Sequence, residues 1–299
     1  MPVPGRNYFG KVFITVKIKV KEMPYEKVMR LPAMKHKRPM KPGILFRTLV
    51  SLVSAKDLKD TDFTYKDGER PLAEAGDGPC LILMNHSSFI DLEIVSKIFY
   101  PKPYCIVCTS DGFVGKSWLM RRLGCIPTDK FVTDSVLISD IEYALNDLKT
   151  SVLMYPEASY SFDGTETPLP RMLGLLLKKL GVPVVMIKTE GAFTRDPLYN
   201  GLRKRKVRVS ATVGCLLTKK EIAEKTVGEL DSILDEAFSY DHFAWQYDNG
   251  VEINEPFRAE GLSRILYRCA SCGAEGGMES SGEYITCRKC GKSFCCRRR

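Results

Sequence analysis

One histidine of the chain stands five positions before an aspartate, directly after an apolar run. The stretch reads LMNHSSFIDL (83–92), and the pair is His86 and Asp91. A carboxylate bound to one imidazole nitrogen fixes the tautomer and leaves the other nitrogen free to act as a general base. The alternative is structural: Ser88 and Asp91 also fit a capping box that would start a helix, with His86 an incidental loop residue.

No nucleophile of the usual hydrolase type accompanies this pair in the sequence. A G-x-S-x-G elbow is absent, and Ser159 in PEASYS lacks the flanking glycines. A base without an enzyme nucleophile acts directly on water or on a hydroxyl group of the substrate. Attack of a substrate hydroxyl on an acyl carbonyl fits this pattern.

Four of the eleven cysteines form two C-x2-C pairs separated by fourteen residues, and each pair is followed by glycine. Four thiolates at this spacing suit a structural Zn²⁺ ion with tetrahedral coordination. A segment this short could hardly fold without a bound metal ion or a disulfide. Chance spacing or disulfides are the alternative. The predicted metal ligands are Cys269, Cys272, Cys287 and Cys290. Cys105 and Cys108 share the local spacing, but no second pair accompanies them, so they are interpreted as core residues.

Short apolar runs alternate with helical patterns, which predicts an α/β fold with a mixed, largely parallel sheet flanked by helices, plus a small C-terminal zinc ribbon. The predicted strands are 78–85, 104–109, 151–156, 182–188 and 206–214, and the predicted helices lie near 90–98, 115–123, 134–149 and 171–180. Ligands of such sheets bind beyond the carboxyl ends of the strands. Asn85, His86 and Glu157 are therefore expected at the same edge.

The net charge of +9 is concentrated at the N-terminus, where residues 1–60 contain fourteen Lys and Arg against four Asp and Glu. Residues 11–21 alternate as a strand with a lysine face, and 44–56 have the pattern of an amphipathic helix. Such a segment predicts contact with an anionic membrane surface; a solvated basic segment and a helix packed on the core are the alternatives. Asp67-Gly68 predicts a hairpin turn.

The N-terminus lacks the pattern of a signal peptide, and no apolar run approaches the length of a spanning helix. The expected location is cytoplasmic, peripheral on the inner face of the membrane. The domains are predicted as 1–60 (basic, membrane-associating), 61–255 (catalytic) and 262–299 (zinc ribbon).

The order of the blocks is informative: N-H-x4-D, a strand ending in D-K, a strand ending in P-E, then V-P-V-V. Over about residues 60–215 this order resembles the glycerophospholipid acyltransferases, which include lysophosphatidic acid acyltransferases and act in phospholipid biosynthesis. The resemblance implies that His86 is the catalytic base and Asp91 its partner. It implies an acyl-CoA or acyl-ACP donor and a lysophospholipid or glycerol-phosphate-like acceptor. The substrate-binding candidates are Asn85, Lys130, Glu157, Ser159 and Ser161.

Two departures from the family pattern concern the acceptor. Where the family reads E-G-T-R-S, this chain has Tyr160 in place of the arginine, and Lys130 stands where an arginine is usual. Tyrosine supplies no positive charge, and lysine lacks the bidentate fork of arginine. Either the acceptor differs from lysophosphatidic acid or another cation serves, for which Arg171 is a candidate.

Two other functions remain open from the sequence. One is a thioester or lipid hydrolase that uses the same His-Asp pair on water. The other is a nucleic-acid-binding or assembly protein that uses the basic ribbon on a degenerate scaffold. Stacking aromatics are sparse in the ribbon, with only Tyr267, Tyr284 and Phe294. Nucleic acid is therefore not expected as the partner.

Overall fold

The computed structural model of the protein describes residues 24–26, 36–129 and 134–298. The chain divides into two units, 1–37 and 38–299. The predicted strand at 11–21 lies outside the described residues, and so does Lys130. All of the elements below belong to the second unit.

Seven strands form the main sheet: β1 (Thr64–Asp67), β2 (Leu81–Met84), β3 (Tyr104–Thr109), β4 (Cys125–Thr128), β5 (Ser151–Met154), β6 (Val184–Glu190) and β7 (Ser210–Leu217). Their order is β1-β7-β6-β2-β5-β3-β4. All neighbours are parallel except β6 and β7, so β1 and β7 run against the other five strands. The predicted mixed, largely parallel sheet is confirmed.

Nine α-helices of the described residues belong to this unit: α1 (Ile44–Asp60), α2 (Ile90–Phe99), α3 (Ser117–Arg122), α4 (Ser135–Asn146), α5 (Leu173–Leu180), α6 (Ala192–Arg195), α7 (Lys219–Glu224), α8 (Val227–Phe238) and α9 (His242–Asp248). Short 3-10 helices cover Leu72–Ala75, Ser110–Phe113, Leu198–Asn200 and Leu262–Arg264. None of the helices in the described ranges combines the length and apolar character that crossing a bilayer requires.

The strand β2 is the centre of the core, and all four of its residues are buried. Its side chains alternate between two faces, as a strand requires. Ile82 and Met84 pack in the cluster that contains Ile94 of α2 and Leu58 of α1. Leu81 and Leu83 pack in the opposite cluster with side chains of α4, α5 and α8. Burial on both faces explains why this strand reads as a continuous apolar run.

The hairpin predicted at Asp67-Gly68 is wrong. β1 pairs with β7 in parallel, from Thr64 beside Ser210 to Asp67 beside Val213. After β1 the chain continues along β7, because the N–H of Gly68 donates to Val213 O and the N–H of Cys215 donates to Arg70 O. The Asp-Gly pair therefore lacks the second, antiparallel strand that a hairpin needs.

The C-terminal part contains a second, three-stranded antiparallel sheet made of β8 (Met278–Ser281), β9 (Tyr284–Cys287) and β10 (Ser293–Cys295). A small apolar cluster joins it to the α/β layer. Its buried members are Phe193, Tyr199, Ala259, Leu262 and Ile285. The α/β layer and the small sheet thus share a packed interface.

Candidate active site

The loop between β2 and α2 brings His86 and Asp91 into contact. The Nδ1 atom of His86 lies 3.0 Å from Oδ2 of Asp91. The same oxygen accepts the N–H groups of Ser87 (2.7 Å) and Ser88 (3.0 Å), so three donors converge on it. The Asp91 side chain is 1% exposed and the imidazole 20%. The carboxylate therefore fixes one edge of a ring that stays partly open to solvent.

The capping box predicted at Ser88 and Asp91 forms only in part. Asp91 does reach back to the N–H of Ser88, but α2 has Phe89 as its N-cap and no side-chain cap bond. The aspartate in the first turn of the helix folds the preceding loop onto itself and holds the imidazole with the same oxygen.

Glu157 follows β5 and reaches the same loop. Its Oε2 accepts the backbone N–H of His86 at 2.8 Å, while Oε1 accepts the N–H of Thr167 (3.0 Å) and the hydroxyl of Tyr240 (2.7 Å). Burial raises the pKa of Glu157, and these donors act in the opposite direction. In this structure the carboxylate holds the backbone of His86 in place.

Two tyrosines enclose the imidazole of His86. The ring of Tyr155 stacks on it at 3.9 Å between centroids, and the ring of Tyr160 lies at 4.2 Å in a tilted arrangement. Burial raises the pKa of Tyr160 to about 12, and it also raises the pKa of Tyr155. Both phenols are therefore neutral near pH 7. The residue in the arginine position of the family pattern contacts the imidazole and adds no charge.

The other predicted substrate-binding residues differ in their surroundings. Asn85 is fully buried, and its carboxamide bonds to the backbone and hydroxyl of Thr189 on β6. Ser161 is also buried; its hydroxyl donates to Thr165 O and accepts from the N–H of Gly164. Ser159 is exposed on the loop after Glu157. For all three, a substrate contact stays a prediction.

Two residues near the start of α9 take part in the site without having been predicted from the sequence. Tyr240 binds Glu157, and Nε2 of His242 lies 3.0 Å from Oγ of Ser87. His242 is 2% exposed and stacks on Phe193. The rarity of histidine in the chain was the only signal that could have pointed to it.

Residues 63–189 match the protein-family model described as Acyltransferase, and this range contains His86, Asp91 and Glu157. Over these residues the chain is therefore similar to an acyltransferase domain. Tyr240 and His242 lie outside it, so residues beyond the matched range support its histidine loop.

The fold of the chain is also similar to that of a solved enzyme. The chain resembles the crystal structure of PlsC, the 1-acyl-sn-glycerophosphate (LPA) acyltransferase from Thermotoga maritima, with a TM-score of 0.53 and 15% sequence identity. The match covers 64% of this chain and 76% of the PlsC chain. No curated protein matches the chain in sequence. The two positive comparisons support the predicted resemblance to glycerophospholipid acyltransferases.

The four predicted metal ligands lie together beyond the acyltransferase domain. The Sγ atoms of Cys269, Cys272, Cys287 and Cys290 are all within 4.8 Å of one another. Two of the separations, Cys269 to Cys290 and Cys272 to Cys287, are 3.8 Å. This is far longer than a disulfide bond, roughly 2 Å, and it suits a tetrahedron with Zn–S bonds of about 2.3 Å. The donor set fits a metal ion such as zinc.

The buried His242 beside the acyltransferase domain makes stability depend on pH. Burial lowers the pKa of its imidazole to about 4 from an ordinary value of 6.5, so the folded protein holds this ring neutral. The unfolded chain takes up the proton first as the pH falls through 6.5. This group therefore lowers the free energy of unfolding progressively between about pH 6.5 and 4, by roughly 3 kcal/mol in total.

The measurement is urea unfolding of the wild-type protein and of His242→Gln at a series of pH values. We expect the difference in free energy of unfolding between the two to shrink as the pH falls through this window. Asp196 and Glu93, whose burial raises their pKa values to about 6 and about 7, act with the opposite sign in both proteins. They cancel in the difference. A constant difference would contradict the assignment.

Proposed function

We propose that the protein transfers an acyl group from an acyl thioester, on coenzyme A or acyl carrier protein, to the hydroxyl of a lysophospholipid or a glycerol-phosphate-like acceptor. One observation carries the proposal: the 3.0 Å contact between Nδ1 of His86 and Asp91 in an acyltransferase domain. With Nδ1 donating to the carboxylate, Nε2 is the basic nitrogen of the ring. The partial exposure of the imidazole makes it accessible to a substrate hydroxyl.

In the proposed reaction Nε2 of His86 takes the proton of the acceptor hydroxyl as its oxygen attacks the thioester carbonyl. The carbon–sulfur bond then breaks, the imidazolium returns the proton to the departing thiolate, and the products are an ester and a thiol. Asp91 stabilises the positive charge that develops on the imidazole. The acyl group passes directly to the acceptor, so no acyl-enzyme forms.

The acceptor side of the proposal differs from the family pattern at Tyr160, which contacts the imidazole as a neutral ring. A phosphate on the acceptor would need its cation from elsewhere. Arg195 is 2% exposed, but it is ion-paired with Asp57 and Asp196. Lys130 and the exposed Arg171 remain candidates.

The experiment is to incubate the protein with a labelled acyl thioester and matched acceptors with and without a terminal phosphate, and to identify the products by mass spectrometry. The proposal predicts an acylated acceptor. Release of free fatty acid with no acylated product, at a rate independent of the acceptor, would favour the hydrolase alternative instead.

We also propose that the protein associates peripherally with an anionic membrane surface, through α1. Five apolar side chains of this helix are exposed: Ile44, Leu45, Leu49, Leu52 and Val53. Trp118, itself 66% exposed, extends this surface because its ring contacts that of Phe46. The guanidinium of Arg122 lies over the Trp118 ring, with 5.8 Å between the guanidinium carbon and the ring centroid, and places a positive charge beside this surface. An exposed apolar helix face with a basic neighbour is typical of a helix that lies in the headgroup region.

The double variant Leu45→Ser, Leu52→Ser is expected to weaken binding to vesicles rich in anionic phospholipid by about tenfold or more, because each leucine loses its apolar burial in the bilayer. Flotation on a density gradient measures this. Leu175→Ser, on the exposed side of α5, is the matched control and should float like the wild type. Retention on nucleic acid, with no flotation of the wild type, would contradict the proposal.

A further inference from the structure

A cavity of about 270 Å³ lies between the α/β layer and the C-terminal small sheet. The segment before β7 contributes Tyr199 and Arg205 to its lining, α9 contributes Phe243, and the C-terminal part contributes Arg258 and Arg297. None of these residues belongs to the acyltransferase site described above. The cavity combines three guanidinium groups with aromatic walls.

Arg205 is the unusual member of this lining. It is 5% exposed, and all of its hydrogen-bond partners are neutral: Thr194 O (3.5 Å), the Tyr199 hydroxyl (3.1 Å) and Arg258 O (3.3 Å). Its Nε has no hydrogen-bond partner among the described residues. No carboxylate in the described part of the chain forms an ion pair with it. Burying a guanidinium without an opposite charge is costly unless something else supplies that charge.

Arg195 is also buried, at 2% exposure, but its positive charge is balanced within the protein. Its guanidinium lies 2.5 Å from Asp57 and 3.3 Å from Asp196. At Arg195 these carboxylate partners balance the charge of the buried guanidinium. Arg205 lacks them and lines a cavity instead.

The other two arginines make the cavity more positive. Arg258 is 4% exposed; its Nε donates to Cys296 O at 2.7 Å, and its Nη1 pairs with Glu283. Arg297 is exposed at the rim. Within the described residues, Glu283 is the one carboxylate paired with these three guanidinium groups. The excess is two positive charges, which matches a dianion.

The aromatic side chains define the rest of the ligand. Phe243 and Tyr247, both on α9 and both partly exposed, form one wall, and Tyr199 lies beneath Arg205 with 5.5 Å between its ring centroid and the guanidinium carbon. We propose that this cavity binds a phosphate monoester, with the phosphoryl group against Arg205 and Arg297 and the organic part against the aromatic wall. Guanidinium groups bind phosphate through paired N–H donors. The proposal is independent of the function proposed for the acyltransferase domain.

Calorimetric titration of the full-length protein tests the proposal with three probes: inorganic phosphate, adenosine 5′-monophosphate and dihexanoyl phosphatidic acid. The proposal predicts saturable binding of at least one organic monoester, more tightly than inorganic phosphate. Where the binding is lost in Arg205→Met, tighter binding of the nucleotide identifies a water-soluble ligand, and tighter binding of the phosphatidic acid identifies a lipid headgroup. Binding that Arg205→Met retains belongs to another site and would overturn the proposal. Failure of the wild-type protein to bind any of the probes at millimolar concentration would overturn the proposal.

Variants separate a ligand-binding role of Arg205 from a structural one. Arg205→Met keeps the length of the side chain and removes its charge, so it should weaken probe binding at least tenfold while leaving the melting temperature unchanged or higher. Arg297→Met, at the exposed rim, should weaken binding by a smaller factor. Arg208→Met, 63% exposed and away from the lining, is the matched control and should bind like the wild type. A lower melting temperature with unchanged affinity in Arg205→Met would overturn the proposal.

Discussion

His86→Ala is expected to lower kcat and kcat/KM for acyl transfer together, by about 10² to 10⁴-fold, the range that a general base contributes. When the ring is removed, Oδ2 of the buried Asp91 keeps its hydrogen bonds from the N–H groups of Ser87 and Ser88. The loss falls on kcat because the imidazole acts on a proton that moves only in the transition state. Steady-state kinetics with a labelled acyl thioester, and with an acceptor that the wild type acylates, measures the loss of kcat.

Asp91→Asn should share most of this loss for a different reason. If the amide introduced at this position presents its N–H to Nδ1, the imidazole is forced into the wrong tautomer. If it presents its oxygen instead, the negative charge that stabilises the imidazolium is missing. The control is His36→Ala, which removes an exposed histidine of the N-terminal unit and should retain wild-type activity. If His86→Ala and Asp91→Asn both turned over at the wild-type rate, the proposed mechanism would be wrong.

Removing the metal ligands is expected to have the second largest effect, on folding of the C-terminal part. The strands of the small sheet are only three or four residues long, and its shared apolar cluster is small. Structural zinc sites contribute on the order of 10 kcal/mol to the folding of such segments. Cys269→Ser combined with Cys290→Ser should therefore abolish bound zinc and expose the segment after residue 262 to proteolysis.

Metal analysis and limited proteolysis measure the two effects separately. The wild type should contain one zinc per chain. Cys295→Ser is the matched control, because that cysteine is exposed and outside the four-cysteine cluster. Purified wild-type protein with no metal and fewer than eleven titratable thiols after denaturation would contradict the metal site and indicate a disulfide instead.

The fold was predictable where burial dominates the sequence pattern. A central parallel strand such as β2 is covered on both faces, so CLILM reads as an uninterrupted apolar run, and the helices between strands show their own period. The hairpin prediction at Asp67-Gly68 failed because a turn signal is local, whereas the partner of β1 depends on where β7 lies in the sheet. The strand order itself, with β5 beside β2, is not encoded in any local pattern.

The candidate site shows the same division between local and distant contacts. His86 and Asp91 are five positions apart across a strand-to-helix junction, so their contact could be predicted from local geometry. The bond from the N–H of His86 to Glu157 depends on the adjacency of β2 and β5. His242 reaches Ser87 from 155 positions away, and only the tertiary fold brings them together.

The most direct test of the proposed chemistry is a single-turnover experiment, with labelled acyl thioester and a lysophospholipid acceptor mixed with excess enzyme. With the wild type, the label is predicted to move into the acylated acceptor, at a rate that rises with acceptor concentration and with no labelled protein at any time. With His86→Ala, the label should remain in the thioester. Formation of the labelled lipid by His86→Ala at the wild-type rate would contradict the assignment of His86 as the base.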